Sequence, residues 1–148
     1  MSKRMLHLWI RSEQRKNEKR VGITPQDASK LIGNGIKVTV EESADRIIST
    51  EEYHKLGCKI ADQHSWPRAP KDAIILGLKE LSEDVEILEH KHIMFGHAFK
   101  GQTAGLELLQ KFKVGNGVLY DLEYLTDPEG KRLAAFGYWA GYAGAAVS

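Results

Sequence analysis

Two short apolar runs that lead to titratable residues constrain the fold of this chain more than any other feature. The first run, Ile74–Leu78, leads to Lys79, and the second, Ile93–Gly96, leads to His97. Apolar runs of this length predict strands buried in a parallel sheet. Ligands bind at the carboxyl ends of strands in open α/β sheets, so the amine and the imidazole are placed to act as an acid/base pair.

Helix signals alternate with further apolar segments along the chain. Thr24-Pro25 places a hydroxyl at a helix N-cap and proline at the first position, and Asn34-Gly35 ends that helix. Further helices are predicted to begin near residues 49, 102 and 137, and the remaining strands are predicted at 5–10, 36–40, 58–61, 118–120 and 132–136. The alternation predicts a three-layer, Rossmann-like (flavodoxin-like) α/β domain with a mainly parallel sheet and helices on both faces.

Composition describes an ordinary globular domain. The chain has 148 residues, 42% hydrophobic and 28% charged, with a formal net charge of +1. This balance gives no electrostatic case for nucleic acid or a membrane surface as partner, and the basic residues between 15 and 20 are interpreted as a solvated turn. No apolar run approaches the roughly 20 residues of a membrane span. The single cysteine, Cys58, permits no intrachain disulfide, fits a cytoplasmic location and is interpreted as a buried hydrophobe.

The sequence predicts neither a metal site nor a dinucleotide fingerprint. His90 and His92 have the spacing of metal ligands, but Lys91 lies between them and a third ligand is missing. The segment 115–117 lacks the third glycine of the fingerprint, and the glycines after residue 136 have the wrong spacing. Trp66, in a proline-flanked loop, is expected to be the most exposed of the three tryptophans.

The small-residue segment 137–148 allows two interpretations. It is either a helix packed on its own sheet or the start of an interdomain helix that leads to a second, cofactor-binding domain absent from this chain. We expect the second arrangement, with residues 1–136 forming a substrate-binding domain.

Several motifs then resemble the N-terminal substrate domain of NAD-dependent, L-lysine-forming saccharopine dehydrogenases, a branch of the alanine dehydrogenase/transhydrogenase N-terminal family. The matching motifs, in order, are GLKE at 77–80, HAFK at 97–100, LYDLE at 119–123 and AAFGYWAGYAGAA at 134–146. The resemblance implies reversible oxidative cleavage of saccharopine to L-lysine and 2-oxoglutarate. It also implies that NAD is bound mainly by a separate Rossmann domain, so that this chain alone is inactive.

The resemblance further implies roles for particular residues. Lys79 and His97 are expected to form the acid/base pair, and the neighbouring Glu80 and Glu123 to tune their pKa values. Oxidation of a secondary amine and hydrolysis of the resulting imine require several proton transfers. Our hypothesis is that His97 acts as base in the redox step and Lys79 serves imine hydrolysis, for which its pKa must be lowered from about 10.4.

Carboxylate binding is implied for two arginines. Arg11 follows the first predicted strand, and Arg132 begins the last one, which must run antiparallel to return Arg132 to the site. Guanidinium groups suit this task because they bind carboxylates with two parallel hydrogen bonds. Lys100 and Phe136 are implied to line the same substrate site.

Two other functions remain open from the sequence. One is a stand-alone module that binds a dicarboxylate or amino acid without catalysis. The other is a dehydrogenase acting on a related amino acid or opine.

Overall fold

The computed structural model describes residues 3–98 and 103–134. Six strands in these ranges form one sheet in the order β3-β2-β1-β4-β5-β6, and every adjacent pair is parallel. The strands are β1 His7–Ile10, β2 Lys37–Glu41, β3 Lys59–Ala61, β4 Ile74–Leu76, β5 Lys91–Met94 and β6 Val118–Asp121.

Three α-helices connect these strands, and local signals account for their ends. They are α1 Pro25–Gly33, α2 Thr50–Lys55 and α3 Thr103–Gly115. The N-cap of α1 forms as predicted, because Thr24 Oγ1 accepts a hydrogen bond from the Asp27 amide at 3.2 Å. Beyond its C-terminus, Gly35 adopts a φ of +82°, which glycine reaches without steric cost. No helix within these ranges is long and apolar enough to cross a membrane.

The side chains of β1 alternate between two cores, one on each face of the sheet. Ile10 packs in a cluster with Ala28 from α1 and Tyr53 from α2. Trp9, the residue before it, lies in the opposite cluster with Phe112 from α3. Helices therefore cover both faces, which confirms the predicted three-layer α/β architecture.

Trp66 is buried, and the prediction of an exposed side chain was wrong. Its exposed fraction is 2%. The proline-flanked loop folds into a 3-10 turn, Trp66–Arg68, in which the Trp66 amide donates to Glu41 Oε1 at 2.7 Å. The indole contacts His92 edge-on, with ring centroids 5.1 Å apart, so this tryptophan belongs to the core.

The segment after β6 forms a short turn and one antiparallel bridge. A 3-10 turn, Leu122–Tyr124, follows the strand, and Thr126 pairs with Arg132 in the antiparallel direction. The connection between them closes where the Gly130 amide donates to the Asp127 carbonyl at 3.0 Å. The continuation of the predicted last strand beyond residue 134 and the predicted helix at 137–148 lie outside the described residues.

The strand order places a crevice at the centre of the sheet. Strands β1 and β4 are neighbours, and the chain extends the sheet outward from them in opposite directions. Right-handed crossovers then put α1 and α2 on one face and α3 on the other. Open α/β sheets bind ligands at this switch point, outside the carboxyl ends of the strands.

Candidate active site at the carboxyl edge of the sheet

Lys79 and His97 follow neighbouring strands at the same edge of the sheet. Backbone pairing continues past the ends of β4 and β5, because the Gly77 amide donates to the Ile93 carbonyl at 3.0 Å. The Phe95 amide then donates to the Leu78 carbonyl at 3.2 Å. The amine and the imidazole are therefore delivered by adjacent chain segments, as the two apolar runs predicted.

His97 adopts a backbone conformation that is uncommon for a residue with a side chain. Its φ is +50°, and residues held in such conformations cluster at functional sites. The Nδ1 atom lies 3.3 Å from Oε2 of Glu123 in the turn after β6. The His97 side chain is 48% exposed and that of Glu123 only 13%. A largely buried carboxylate thus lies beside a half-exposed imidazole.

Arg11 is buried inside the protein, where the sequence predicted a guanidinium open to substrate. Its side chain is 0% exposed, and Nη1 pairs with Glu13 Oε2 at 3.2 Å. Nη2 donates to the carbonyl oxygen of Lys79. Burial lowers the pKa of Arg11, and the carboxylate of Glu13 opposes that shift. The guanidinium therefore serves an internal contact in this structure, because the loop after β1 folds back over the end of β4.

Glu13 joins the same cluster, and sequence analysis missed it. Its Oε1 accepts the amide of Leu78 at 2.6 Å, and its Oε2 accepts the amide of Lys79 at 3.1 Å. These amides lie just beyond β4, where the strand ladder no longer provides acceptors. The only local signal was a carboxylate three residues after the end of β1, two positions beyond Arg11.

A second ion pair that sequence analysis interpreted as part of a solvated turn lies beside the cluster. Arg20 donates two hydrogen bonds to Glu18, from Nε to Oε1 at 2.9 Å and from Nη2 to Oε2 at 2.8 Å. The pKa of Glu18 is lowered to about 2, chiefly by hydrogen bonding to Arg20, and the charge of Lys79 contributes to this shift. The pair lines a small cavity of about 10 Å³ together with Arg11, Glu13, Arg46 and Gly77.

The other predicted site residues lie farther out or outside the described ranges. The Glu80 carboxylate is exposed and lies 3.5 Å from Nε of Arg15, and Glu80 lines a surface groove together with His97. Arg132 is exposed, and its Nη2 donates to the carbonyl of Ala134 at 3.4 Å. Lys100 and Phe136 lie outside the described residues.

His90, just before β5, and His92, within β5, are both buried. Among residues 3–98 and 103–134, no group of three or more His, Cys, Asp or Glu is arranged to hold a metal ion. Nε2 of His90 contacts the Ala69 carbonyl at 3.1 Å. His92 lies between Trp66 and Phe112, and burial lowers its pKa to about 3. Both histidines are packing residues in this structure.

The structure is an α/β domain with a parallel sheet, whose switch point lies between β1 and β4. The family model for the alanine dehydrogenase/PNT, N-terminal domain matches residues 9–143. The chain therefore belongs to the alanine dehydrogenase/PNT N-terminal domain family.

Curated relatives narrow the comparison. A saccharopine dehydrogenase [NAD(+), L-lysine-forming] from Schizosaccharomyces pombe is 48% identical over 143 residues, which cover 96% of this chain and 39% of that protein. The corresponding protein from Emericella nidulans is 49% identical over 142 residues, 95% of this chain and 38% of that protein. The chain thus spans about 39% of the length of the curated relatives it matches.

Solved structures support the fold. A transhydrogenase from Sinorhizobium meliloti matches with a TM-score of 0.64 at 21% identity, over 81% of this chain and 36% of that one. An L-alanine dehydrogenase matches with a TM-score of 0.70 at 15% identity, over 85% of this chain and 35% of that one. At these identities the likeness concerns the fold alone.

Proposed function

We propose that this chain is the substrate-binding domain of an NAD-dependent, L-lysine-forming saccharopine dehydrogenase. The reaction is the reversible oxidative cleavage of saccharopine to L-lysine and 2-oxoglutarate. The observation that carries the proposal is the placement of Lys79 and His97 on adjacent chain segments at the ligand-binding edge of the sheet. The identity of 48% to a relative of that name supports the choice of substrate.

In this proposal the two residues divide the proton transfers. His97 removes the proton of the secondary amine in the redox step, and Glu123, whose Oε2 lies 3.3 Å from Nδ1, holds the imidazole in orientation. Lys79 then serves as acid/base group in hydrolysis of the imine, taking a proton from water and returning it to the departing amine. Glu123 beside His97, and Glu80 next to Lys79 in sequence, are the proposed acidic neighbours of the pair.

NAD would accept the hydride in the proposed reaction, and the turn after β1 does not fit a dinucleotide. Dinucleotide sites in such sheets use a glycine-rich turn after the first strand, whose free amides bind the pyrophosphate. Here the amide of Ser12 already donates to Glu41 Oε2 at 2.8 Å, and the carboxylate of Glu13 follows. We therefore propose that a separate domain binds NAD and that this chain forms the opposite wall of the cleft.

The substrate carries three carboxylates, which require cationic partners. Arg132 is exposed in the described structure and remains our proposed carboxylate-binding residue, together with Lys100 and Phe136 at the same site. The planar guanidinium group of Arg132 matches a carboxylate in geometry, so it suits a carboxylate of the substrate.

The test is NADH oxidation by the purified product of the full reading frame. We expect turnover only when L-lysine and 2-oxoglutarate are both present, and none when either is omitted. A 148-residue chain prepared alone should bind substrate without turnover. Turnover with a different amino acid or keto acid would redirect the proposal to another dehydrogenase, and binding of 2-oxoglutarate without turnover by the full product would indicate a binding module.

The His97→Gln variant tests the division of roles. The pH–rate profile should lose the limb that belongs to the imidazole, because glutamine does not titrate. A profile identical to that of the wild type would exclude His97 as the base.

A further inference from the structure

We propose that Arg11 and Glu13 are positioning residues that fix the peptide unit of Lys79 and thereby hold its amine in the site. The inference rests on the proposed function, in which Lys79 is an acid/base group. It assigns Arg11 a role different from carboxylate binding, and it assigns a role to Glu13, which the sequence did not single out.

The first argument is that both polar backbone atoms of Lys79 are held by this pair. The amide donates to Glu13 Oε2 at 3.1 Å, and the carbonyl accepts from Nη2 of Arg11. The preceding amide, that of Leu78, donates to Glu13 Oε1 at 2.6 Å. Lys79 lies three residues past the end of β4, so the strand ladder does not fix it. Charge-assisted hydrogen bonds from a neighbouring loop replace the ladder.

The second argument is that the loop carrying the pair is itself anchored. Ser12, between Arg11 and Glu13, donates to Glu41 Oε2 from its amide at 2.8 Å and from its hydroxyl at 2.7 Å. Glu41 is fully buried and also accepts the indole N–H of Trp9 at 2.9 Å. Arg11 and Glu13, which hold the backbone of Lys79, are therefore fixed to β2 and to the core through Ser12 and Glu41.

The third argument is the close fit of Arg11 over Gly77. A Cβ atom at position 77 would lie 2.2 Å from Cζ of Arg11, so only glycine admits the guanidinium there. A substrate-binding guanidinium must reach solvent, whereas this side chain is 0% exposed. Its charge is stabilised by Glu13, because a buried charge without a partner is strongly unfavourable.

The primary test variant is Glu13→Gln in the full-length protein. Glutamine has the same size but presents an NH₂ group to one of the two amides, so one hydrogen bond becomes a donor–donor contact. A shift of about 1 Å at a reacting group lowers rates by roughly 100-fold. We expect kcat to fall by about 10- to 100-fold, with KM for both substrates within about threefold of wild type.

Arg11→Lys is the companion variant. It keeps the charge but offers one ammonium in place of two guanidinium contacts, so we expect a smaller fall in kcat than for Arg11→Met. If kcat of Arg11→Lys lies much closer to wild type than kcat of Arg11→Met, a cation at this position is enough to hold most of the geometry of Lys79. If Arg11→Met does not fold, the comparison of Glu13→Gln and Arg11→Lys with wild type carries the test alone.

The matched control is Glu89→Gln. Glu89 precedes β5 at the opposite edge of the sheet, where its exposed carboxylate pairs with Lys71 at 3.7 Å. The same substitution there should leave kcat and KM unchanged, because exposed pairs contribute little. Melting temperatures of all variants show that a loss of rate is not a loss of fold.

Lys79→Met separates this inference from the proposed function. Full activity of Lys79→Met would overturn the acid/base role itself. Loss of activity in Lys79→Met with wild-type kcat in Glu13→Gln and Arg11→Lys would overturn the positioning role alone. A raised KM for 2-oxoglutarate at unchanged kcat in the Arg11 variants would also overturn it, since that pattern indicates carboxylate binding.

Discussion

Acid stability of the fold should depend on one buried histidine, His92. Its side chain lies in the core between Trp66 and Phe112, and burial lowers its pKa from 6.5 to about 3. The native state therefore keeps the imidazole neutral, while the unfolded chain binds a proton below pH 6.5. Stability associated with this group is complete above pH 6.5 and is lost as the pH falls from 6.5 toward 3.

The magnitude follows from the pKa difference. pH 5 lies about 1.5 units below the pKa of 6.5 in the unfolded chain, so the unfolded chain is protonated there while the folded protein is not. At 1.36 kcal/mol per unit, this lowers the free energy of unfolding by about 2 kcal/mol. Leucine at this position cannot titrate, and both ring nitrogens of His92 have no hydrogen-bond partner among the described residues, so His92→Leu breaks no such bond.

The assay is urea denaturation of the wild type and of His92→Leu at pH 7 and pH 5. The decrease between these pH values should be about 2 kcal/mol smaller in the variant. His54→Leu, at an exposed position of α2, is the matched control and should leave the wild-type decrease in place. An equal decrease in wild type and His92→Leu would refute the reasoning.

Three further predictions concern stability and reactivity. Glu41→Gln should lower the free energy of unfolding by about 3 kcal/mol in chemical denaturation, because it places an NH₂ group where a fully buried carboxylate now accepts several hydrogen bonds. A decrease below about 1 kcal/mol would contradict the central role of Glu41. Thr24→Ala should cost about 1 kcal/mol through loss of the α1 cap, whereas Thr24→Ser should cost little. The thiol of Cys58 should react with a disulfide reagent only on unfolding, since burial raises its pKa; rapid labelling of the native protein would disprove this.

Local signals in the sequence account for much of the fold. The run Ile74–Leu76 forms β4, and Thr24 caps α1, because strand burial and helix capping depend on residues close in sequence. The strand ends shift by a few residues: the first strand begins at His7 and not at residue 5. These boundaries depend on which residues find partners in the sheet, and partners are distant in sequence.

Some features of the candidate site follow from local sequence, and others depend on contacts between residues that are distant in sequence. The placement of Lys79 and His97 at one edge of the sheet could be predicted from the sequence, because each lies only three residues beyond the end of its own strand. The burial of Arg11 could not, because its partners include the carbonyl of a residue 68 positions away. Trp66 was mistaken for a similar reason, since the carboxylate that holds its amide lies 25 residues earlier in the chain. Contacts of this kind are decided only when the strands have assembled.

The most direct test of the account is kcat/KM of Lys79→Met in the full-length protein, with L-lysine, 2-oxoglutarate and NADH as substrates. General acid–base catalysis contributes about 100- to 10,000-fold, so we predict a decrease within that range at an unchanged melting temperature. A value within about threefold of the wild type would contradict the claim that Lys79 at this sheet edge performs the proton transfers of imine hydrolysis.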